Sequence, residues 1–229
     1  MRLKNKTVVI VGGSQGIGKA LAVRFKNEGA NVVIASRTKT TLEKTAHEID
    51  AMFKVLDVRN ELELRELAKY TIDAFGSIDI WINSAGQFKK FPKVEIMDMN
   101  RAHEMFDVNF FGAVLGTRTA ILNMKDGAVI NILSSAALDA SRSVGAELYA
   151  ASKWALRGYV DALRSENKDI PVQILSVYPG GTKSHLHDEA LPDEFDNFME
   201  PEYVVDKIIA NLQKDHPEQD LVIKRPSVS

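Results

Sequence analysis

The sequence predicts an α/β fold: one doubly wound, seven-stranded, mainly parallel sheet with helices on both faces. Three observations lead there. Short β-branched runs alternate with amphipathic helical patterns, and such alternation implies parallel strands joined by crossover helices. Several of the runs are apolar throughout, as strands covered on both faces must be. A glycine-rich turn, Gly12-Gly13-Ser14-Gln15-Gly16-Ile17-Gly18, joins the first run to the first helical pattern.

The strands expected in chain order are Thr7–Val11, Asn31–Ala35, Met52–Leu56, Ile78–Ile82, Ala128–Leu133, Val172–Val177 and Asp220–Ile223. Leu21 and Phe25 carry the core stripe of the first helix, which ends at Gly29. The clearest helix is Glu61–Phe75. There Leu64, Leu67, Ala68, Thr71, Ile72 and Phe75 fall on one face, and Gly76 supplies the stop. A helix from Met105 to Asn123 precedes the fifth strand, and another follows Tyr149. Trp81 and Trp154 read as packing residues.

At 229 residues the chain suits a single domain, 1–229, with a sizeable core. A formal net charge of -2 points to no nucleic-acid or membrane partner. Cysteine is absent, which removes disulfides, thiol catalysis and thiolate metal sites. The basic start (Arg2, Lys4, Lys6) is followed only by the short apolar run Val8–Val11, so a signal peptide is not expected. The expected location is cytoplasmic.

The glycine turn suits a pyrophosphate. Glycine allows a sharp turn and close approach to a ligand. The helix N-terminus behind it offers free N–H groups and partial positive charge. The second strand bears on which nucleotide is bound. NAD binders place an acidic residue about 20 residues on, against the ribose 2′-hydroxyl. Here the strand runs into Ser36-Arg37-Thr38-Lys39. No carboxylate stands there to repel a 2′-phosphate, and Arg37 can pair with one. NADP(H) is therefore expected in preference to NAD(H). Gln15 supplies no second basic residue in the turn.

Tyr149 and Lys153 are spaced i, i+4 and share a helical face. A neighbouring ammonium is expected to draw the phenol down from about 10 toward the working range. Tyr149 could then pass a proton to or from a substrate oxygen. The spacing alone is not diagnostic, because Tyr203 and Lys207 repeat it; that second pair is read as structural. What distinguishes Tyr149 is the strand before it, which ends in Ser134-Ser135. Functional groups gather at strand C-termini in open parallel sheets.

In this order the residues resemble the short-chain dehydrogenase/reductase family, a Rossmann-fold family with a Tyr-x-x-x-Lys motif. The resemblance runs from Lys6 to the last strand. Val11 to Gly18 looks like the family's T-G-x-x-x-G-x-G segment, and Asn83-Ser84-Ala85-Gly86 like its N-N-A-G segment. It implies adenine contacts for Asp57 and Val58, and cofactor contacts for Asn83, Ala85 and Gly86. It also implies that Pro179-Gly180-Gly181-Thr182 holds the nicotinamide carboxamide. Ser134 would orient the substrate, Tyr149 act as general acid/base, Lys153 bind ribose and assist Tyr149, and Asn109 complete a proton relay.

This chain departs from the pattern at Val11, which lacks the bracing hydroxyl, at Ser84, and at Ser184. A long serine-to-tyrosine separation leaves Ser135 open as an alternative to Ser134.

The resemblance implies an NADP(H)-dependent oxidoreductase acting on a small-molecule carbonyl or alcohol. A cofactor-binding sensor without turnover is the alternative. It also implies a homodimer or homotetramer, and Phe106, Phe110 and Phe111 offer more aromatic surface than one inward face needs. The stretch 183–200 reads as a short substrate lid or, alternatively, a packed surface helix. His185, His187, Asp188 and Glu189 lie close in sequence but read as a solvated loop, with no metal expected.

Overall fold

The computed structural model describes residues 2–91, 97–142, 145–166, 169–187, 191–192 and 194–226. Seven strands form one sheet: β1 Thr7–Val11, β2 Asn31–Ser36, β3 Met52–Val55, β4 Ile80–Asn83, β5 Ala128–Ile132, β6 Gln173–Pro179 and β7 Asp220–Ile223. Their order is β3-β2-β1-β4-β5-β6-β7. Every pairing is parallel, so the sheet is wholly rather than mainly parallel. The order reverses between β1 and β4, where the chain leaves one half of the sheet to build the other.

Strand alternation divides the core. Val8 and Ile10 of β1 face one side, with Leu21 and Phe25 of α1 (Gly16–Asn27), Leu42 of α2 (Lys39–Ile49) and Ile208 of α7 (Pro201–Leu212). Val9 and Val11 face the other, with Leu64 and Leu67 of α3 (Glu61–Phe75). Each such fully buried leucine stabilises the fold by about 1.5–3 kcal/mol. Helix α3 has the expected bounds. Its Asn60 cap accepts from Leu62 N at 3.0 Å, while Gly76 closes it in the left-handed region at φ 82°.

The expected uninterrupted helix from Met105 to Asn123 is not found. Helix α4 (Met99–Phe106) passes through a π-helical turn, Asp107–Gly112, into α5 (Ala113–Asn123). A π turn inserts an extra residue and reorients the side chains it carries. Gly112 lies so close to Val58 that a Cβ would come within 2.7 Å of its Cγ2. Helix α6 (Glu147–Glu166) carries Tyr149 and Lys153. Trp81 is fully buried, but Trp154 is 43% exposed on α6, correcting its reading as a packing residue. Among the described residues no helix is long and apolar enough to cross a membrane.

Candidate active site

β1 ends between Ala35 of β2 and Asn83 of β4, so the glycine turn emerges where the strand order reverses. Gly12 N and Gly13 N both donate to Ala35 O, at 2.7 and 3.2 Å. Gly12 has φ 88°, and a Cβ there would lie 2.4 Å from Ala85 N. A Cβ on Gly18 would lie 2.1 Å from Gly12 O. At Gly12 and Gly18 the turn and the first coil of α1 thus pack with no room for a Cβ. The hydroxyl missing at Val11 has a counterpart in Thr45 of α2, whose Oγ1 donates to Ser14 O at 3.0 Å.

A cleft of about 390 Å³ opens over these strand ends. Ser14, Gln15, Gly16 and Ile17 line one end; Ser36, Arg37, Asp57 and Val58 form its side. Ala85 and Gly86 lie along the middle, while Pro179, Gly180 and Thr182 meet Ser134, Tyr149 and Lys153 at the far end. Gly18, Asn83 and Asn109 stand behind the lining. The Asn83 side chain corrects its expected cofactor contact, because it is a buried hub. Its Nδ2 donates to Thr117 Oγ1 at 3.0 Å and Asn131 Oδ1 at 2.9 Å, and its Oδ1 accepts from Trp81 Nε1 at 2.9 Å.

Tyr149 and Lys153 are nearly enclosed, at 9% and 4% exposure. The Lys153 ammonium lies 5.9 Å from the centre of the Tyr149 ring and donates to Ile132 O at 3.1 Å. Burial pushes its pKa down to about 8. Burial also raises the Tyr149 phenol, and the hydrogen bond with Ser134 only partly offsets this. The expected lowering of the phenol by Lys153 is therefore not found in the protein alone. The two residues share a helix face, but burial governs the phenol, and burial also disfavours the charged form of the lysine 5.9 Å from its ring. Ser134, two residues past the end of β5, meets Tyr149; Ser135 is exposed and lies outside the cleft lining.

Asn109 projects from the π turn and is 1% exposed. Its Oδ1 accepts from Gln87 N at 2.7 Å, and its Nδ2 donates to Gln87 O at 2.9 Å and Ser152 Oγ at 3.1 Å. Ser152 in turn donates to Tyr149 O at 2.7 Å. Sequence reading missed Ser152 and Gln87. The serine directly precedes Lys153 and was the one legible hint; nothing local marks Gln87.

On the side of the cleft formed by β2 and the segment after β3, Arg59 grips Asp57, with Nε 2.9 Å from Oδ1 and 3.0 Å from Oδ2. That guanidinium, assisted by Arg37, holds the Asp57 carboxyl below the usual range. Arg37 is largely exposed and faces Glu104 of α4, with Nη1 3.8 Å from Oε1. The Ser36 hydroxyl lines the cleft and is buried with no hydrogen-bond partner. An orphaned hydroxyl beside a glycine-rich turn at a helix N-terminus fits a ribose and pyrophosphate well.

Beyond β6 the chain returns on itself. Lys183 N donates to Met199 O at 2.8 Å, and Met199 N donates to Gly181 O at 2.9 Å. Lys183 pairs with Glu200 at 2.6 Å. His185, Leu186 and Phe198 from this loop line the cleft. Asp188 and Glu189 lie outside the described residues, among which no metal-holding group of His, Cys, Asp or Glu occurs. In α7 the Lys207 ammonium sits 5.2 Å over the Tyr203 ring, away from the cleft.

This strand order, with a glycine turn at its reversal, defines a Rossmann-type doubly wound protein. The short chain dehydrogenase family model matches residues 6–194. An uncharacterized oxidoreductase of Bacillus subtilis is 31% identical over 97% of this chain and 66% of its own length. One of Staphylococcus aureus is 30% identical over 98% of both. The fold resembles a short chain dehydrogenase from Burkholderia cenocepacia in complex with NADP (TM-score 0.88, 22% identity, 100% of both chains). It equally resembles a 3-ketoacyl-(acyl-carrier-protein) reductase from Brucella melitensis complexed with NADH (TM-score 0.88, 23% identity, 96% of this chain and 97% of that one). The chain belongs to the short-chain dehydrogenase family and is an oxidoreductase.

Proposed function

We propose that the protein is an NADP(H)-dependent oxidoreductase that moves hydride between the nicotinamide and a small or medium apolar carbonyl or alcohol. The observation that carries this is the meeting of Ser134 and Tyr149, with Lys153 beneath, at the end of a cleft that begins in the glycine turn. Gly12 to Gly18 would hold the pyrophosphate, Ser36 and Arg37 the adenosine ribose and its 2′-phosphate, and Asp57 and Val58 the adenine. Ala85 and Gly86 would line the middle of the cofactor's path, with Gly86 beside Lys153 and Asn109, and Pro179, Gly180 and Thr182 would hold the carboxamide. The bound nicotinamide supplies or accepts the hydride.

The chain's own residues handle the proton. Ser134 orients the substrate oxygen, and Tyr149 gives its phenolic proton to that oxygen in reduction or accepts one in oxidation. A phenol raised by burial is well suited to remain protonated as the acid. Lys153 would bind the nicotinamide ribose and recharge Tyr149, with Asn109 ordering the relay. A general acid placed this way contributes about 10²–10⁴-fold. We read 1–229 as one domain and 183–200 as a substrate lid. We also propose a homodimer or homotetramer; exposed Phe111 and Leu122 on one helical stretch and Trp154 on α6 support it.

The test is loss of NADPH and, in parallel, NADH absorbance with aldehydes, ketones, diketones and quinones, using the native protein and Tyr149→Phe. Turnover that favours NADPH and is abolished by the substitution, with cofactor affinity retained, is expected. Unchanged turnover in Tyr149→Phe would refute the mechanism.

A further inference from the structure

Arg37 does not face open solvent alone. Its guanidinium points to the carboxylate of Glu104, which comes from α4, on the far side of the sequence. The same oxygen, Glu104 Oε1, lies 3.5 Å from Gln87 Nε2. Arg37 and Gln87 both line the cleft, so Glu104 stands behind the lining and touches two of its residues, Arg37 at the end of β2 and Gln87 beside Asn109. The surrounding charges are largely spent on one another. Arg59 neutralises Asp57 at close range, with Glu104 and Asp107 also within its field. Asp57 also feels the charge of Arg37 but is held by Arg59, and Glu104 is the carboxylate that stands within ion-pair distance of Arg37.

We propose that Glu104 is a specificity-determining residue that competes with the cofactor's 2′-phosphate for Arg37. The inference rests on the reading that Arg37 recognises that phosphate. A 2′-phosphate must draw the guanidinium from the carboxylate or bind beside it, and either arrangement places like charges close together. A 2′-hydroxyl meets no such opposition. Glu104 therefore holds the preference for NADPH below what Arg37 alone would set, and NADH stays usable. No carboxylate at the end of β2 is needed to admit NADH, because the opposing charge is delivered from α4.

The experiment measures dissociation constants for NADPH and NADH, by protein-fluorescence quenching, in native protein, Glu104→Gln, Arg37→Ala and the double variant. Glutamine preserves the size of the side chain and its contact with Gln87. Glu104→Gln should tighten NADPH by about 3- to 10-fold, the scale of a half-exposed charge interaction. NADH should change by less than about 2-fold, since it carries no 2′ charge to be repelled. In the Arg37→Ala background the competition for the guanidinium is gone, and the same substitution should tighten NADPH relative to NADH by less than it does beside Arg37. If Arg37→Ala weakens NADPH but Glu104→Gln leaves it unchanged or weaker, the role of Glu104 is overturned while that of Arg37 stands. If Arg37→Ala leaves the NADPH-to-NADH ratio unaltered, the underlying reading of Arg37 fails, and this inference with it.

Discussion

The side-chain amide of Asn109 donates to the hydroxyl of Ser152 at 3.1 Å, joining residues 43 positions apart. The bond ties the π turn to helix α6. Through Ser152 it reaches the carbonyl of Tyr149, and through Asn109 it clamps both backbone polar groups of Gln87. A buried network satisfied this fully is rigid, and it loses more than one bond's worth of order when one member is removed.

Ser152→Ala should leave the Asn109 amide short of an acceptor and loosen the seat of Tyr149. We expect kcat to fall by about 10-fold or more, because small misplacements of reacting groups are costly. Cofactor affinity should stay within about 2-fold and unfolding free energy should drop by about 1–3 kcal/mol. Steady-state kinetics alongside urea unfolding reads all three. A wild-type kcat in a destabilised variant would show that the serine serves the fold only.

Lys153 carries a pH signature. Its pKa is depressed to about 8 in the folded chain, so the unfolded chain binds more protons between about pH 8 and the ordinary lysine value near 10.4. Stability should therefore rise with pH across that window, and the cost of burying the charge is in full force below it. Lys153→Met removes the titrating group. Without cofactor, the variant should be more stable than the native chain at pH 7, by at most ~3 kcal/mol, and the gap should close as the pH rises from about 8 toward the ordinary lysine value. Thermal unfolding at a series of pH values tests this; a constant gap would mean that the lysine is not held near neutrality.

The glycines separate strain from steric exclusion. Gly76→Ala meets nothing within 4 Å, but it must adopt φ 82°, and should cost only about 1 kcal/mol. Gly18→Ala has an ordinary φ but drives a Cβ into Gly12 O. It should distort the turn and abolish cofactor binding. Titration with NADPH distinguishes them: Gly76→Ala should bind as the native chain does, and detectable native-like binding by Gly18→Ala would show the turn can yield.

Arg37→Asp should weaken NADPH by at least about 10-fold, because it exchanges an ion pair for a repulsion. NADH should gain relative to it. Identical use of both cofactors before and after the exchange would remove Arg37 from cofactor choice.

Most strands were legible because fully apolar β-branched runs leave little ambiguity about burial. Glu61–Phe75 was found to its ends because an asparagine cap and a glycine stop bracket a continuous stripe. The π turn at Asp107–Gly112 was not legible. Its apolar spacing also fits an ordinary helix, and the turn is accompanied by contacts from Val58 and Gln87 that lie far off in sequence. Trp154 was misread because an aromatic residue on an amphipathic helix does not announce which way it faces.

What the sequence determined by itself was therefore local: the alternating layers, the glycine turn, and the tyrosine and lysine on one helix face. Each follows from spacing along a single element. Only the tertiary structure decided which polar groups meet across elements. It buried Asn83 against Trp81 and Asn131, joined Asn109 to Ser152, set Glu104 against Arg37, and raised the Tyr149 phenol instead of lowering it. These outcomes depend on distance and desolvation, which exist only once the sheet has brought its strand ends together.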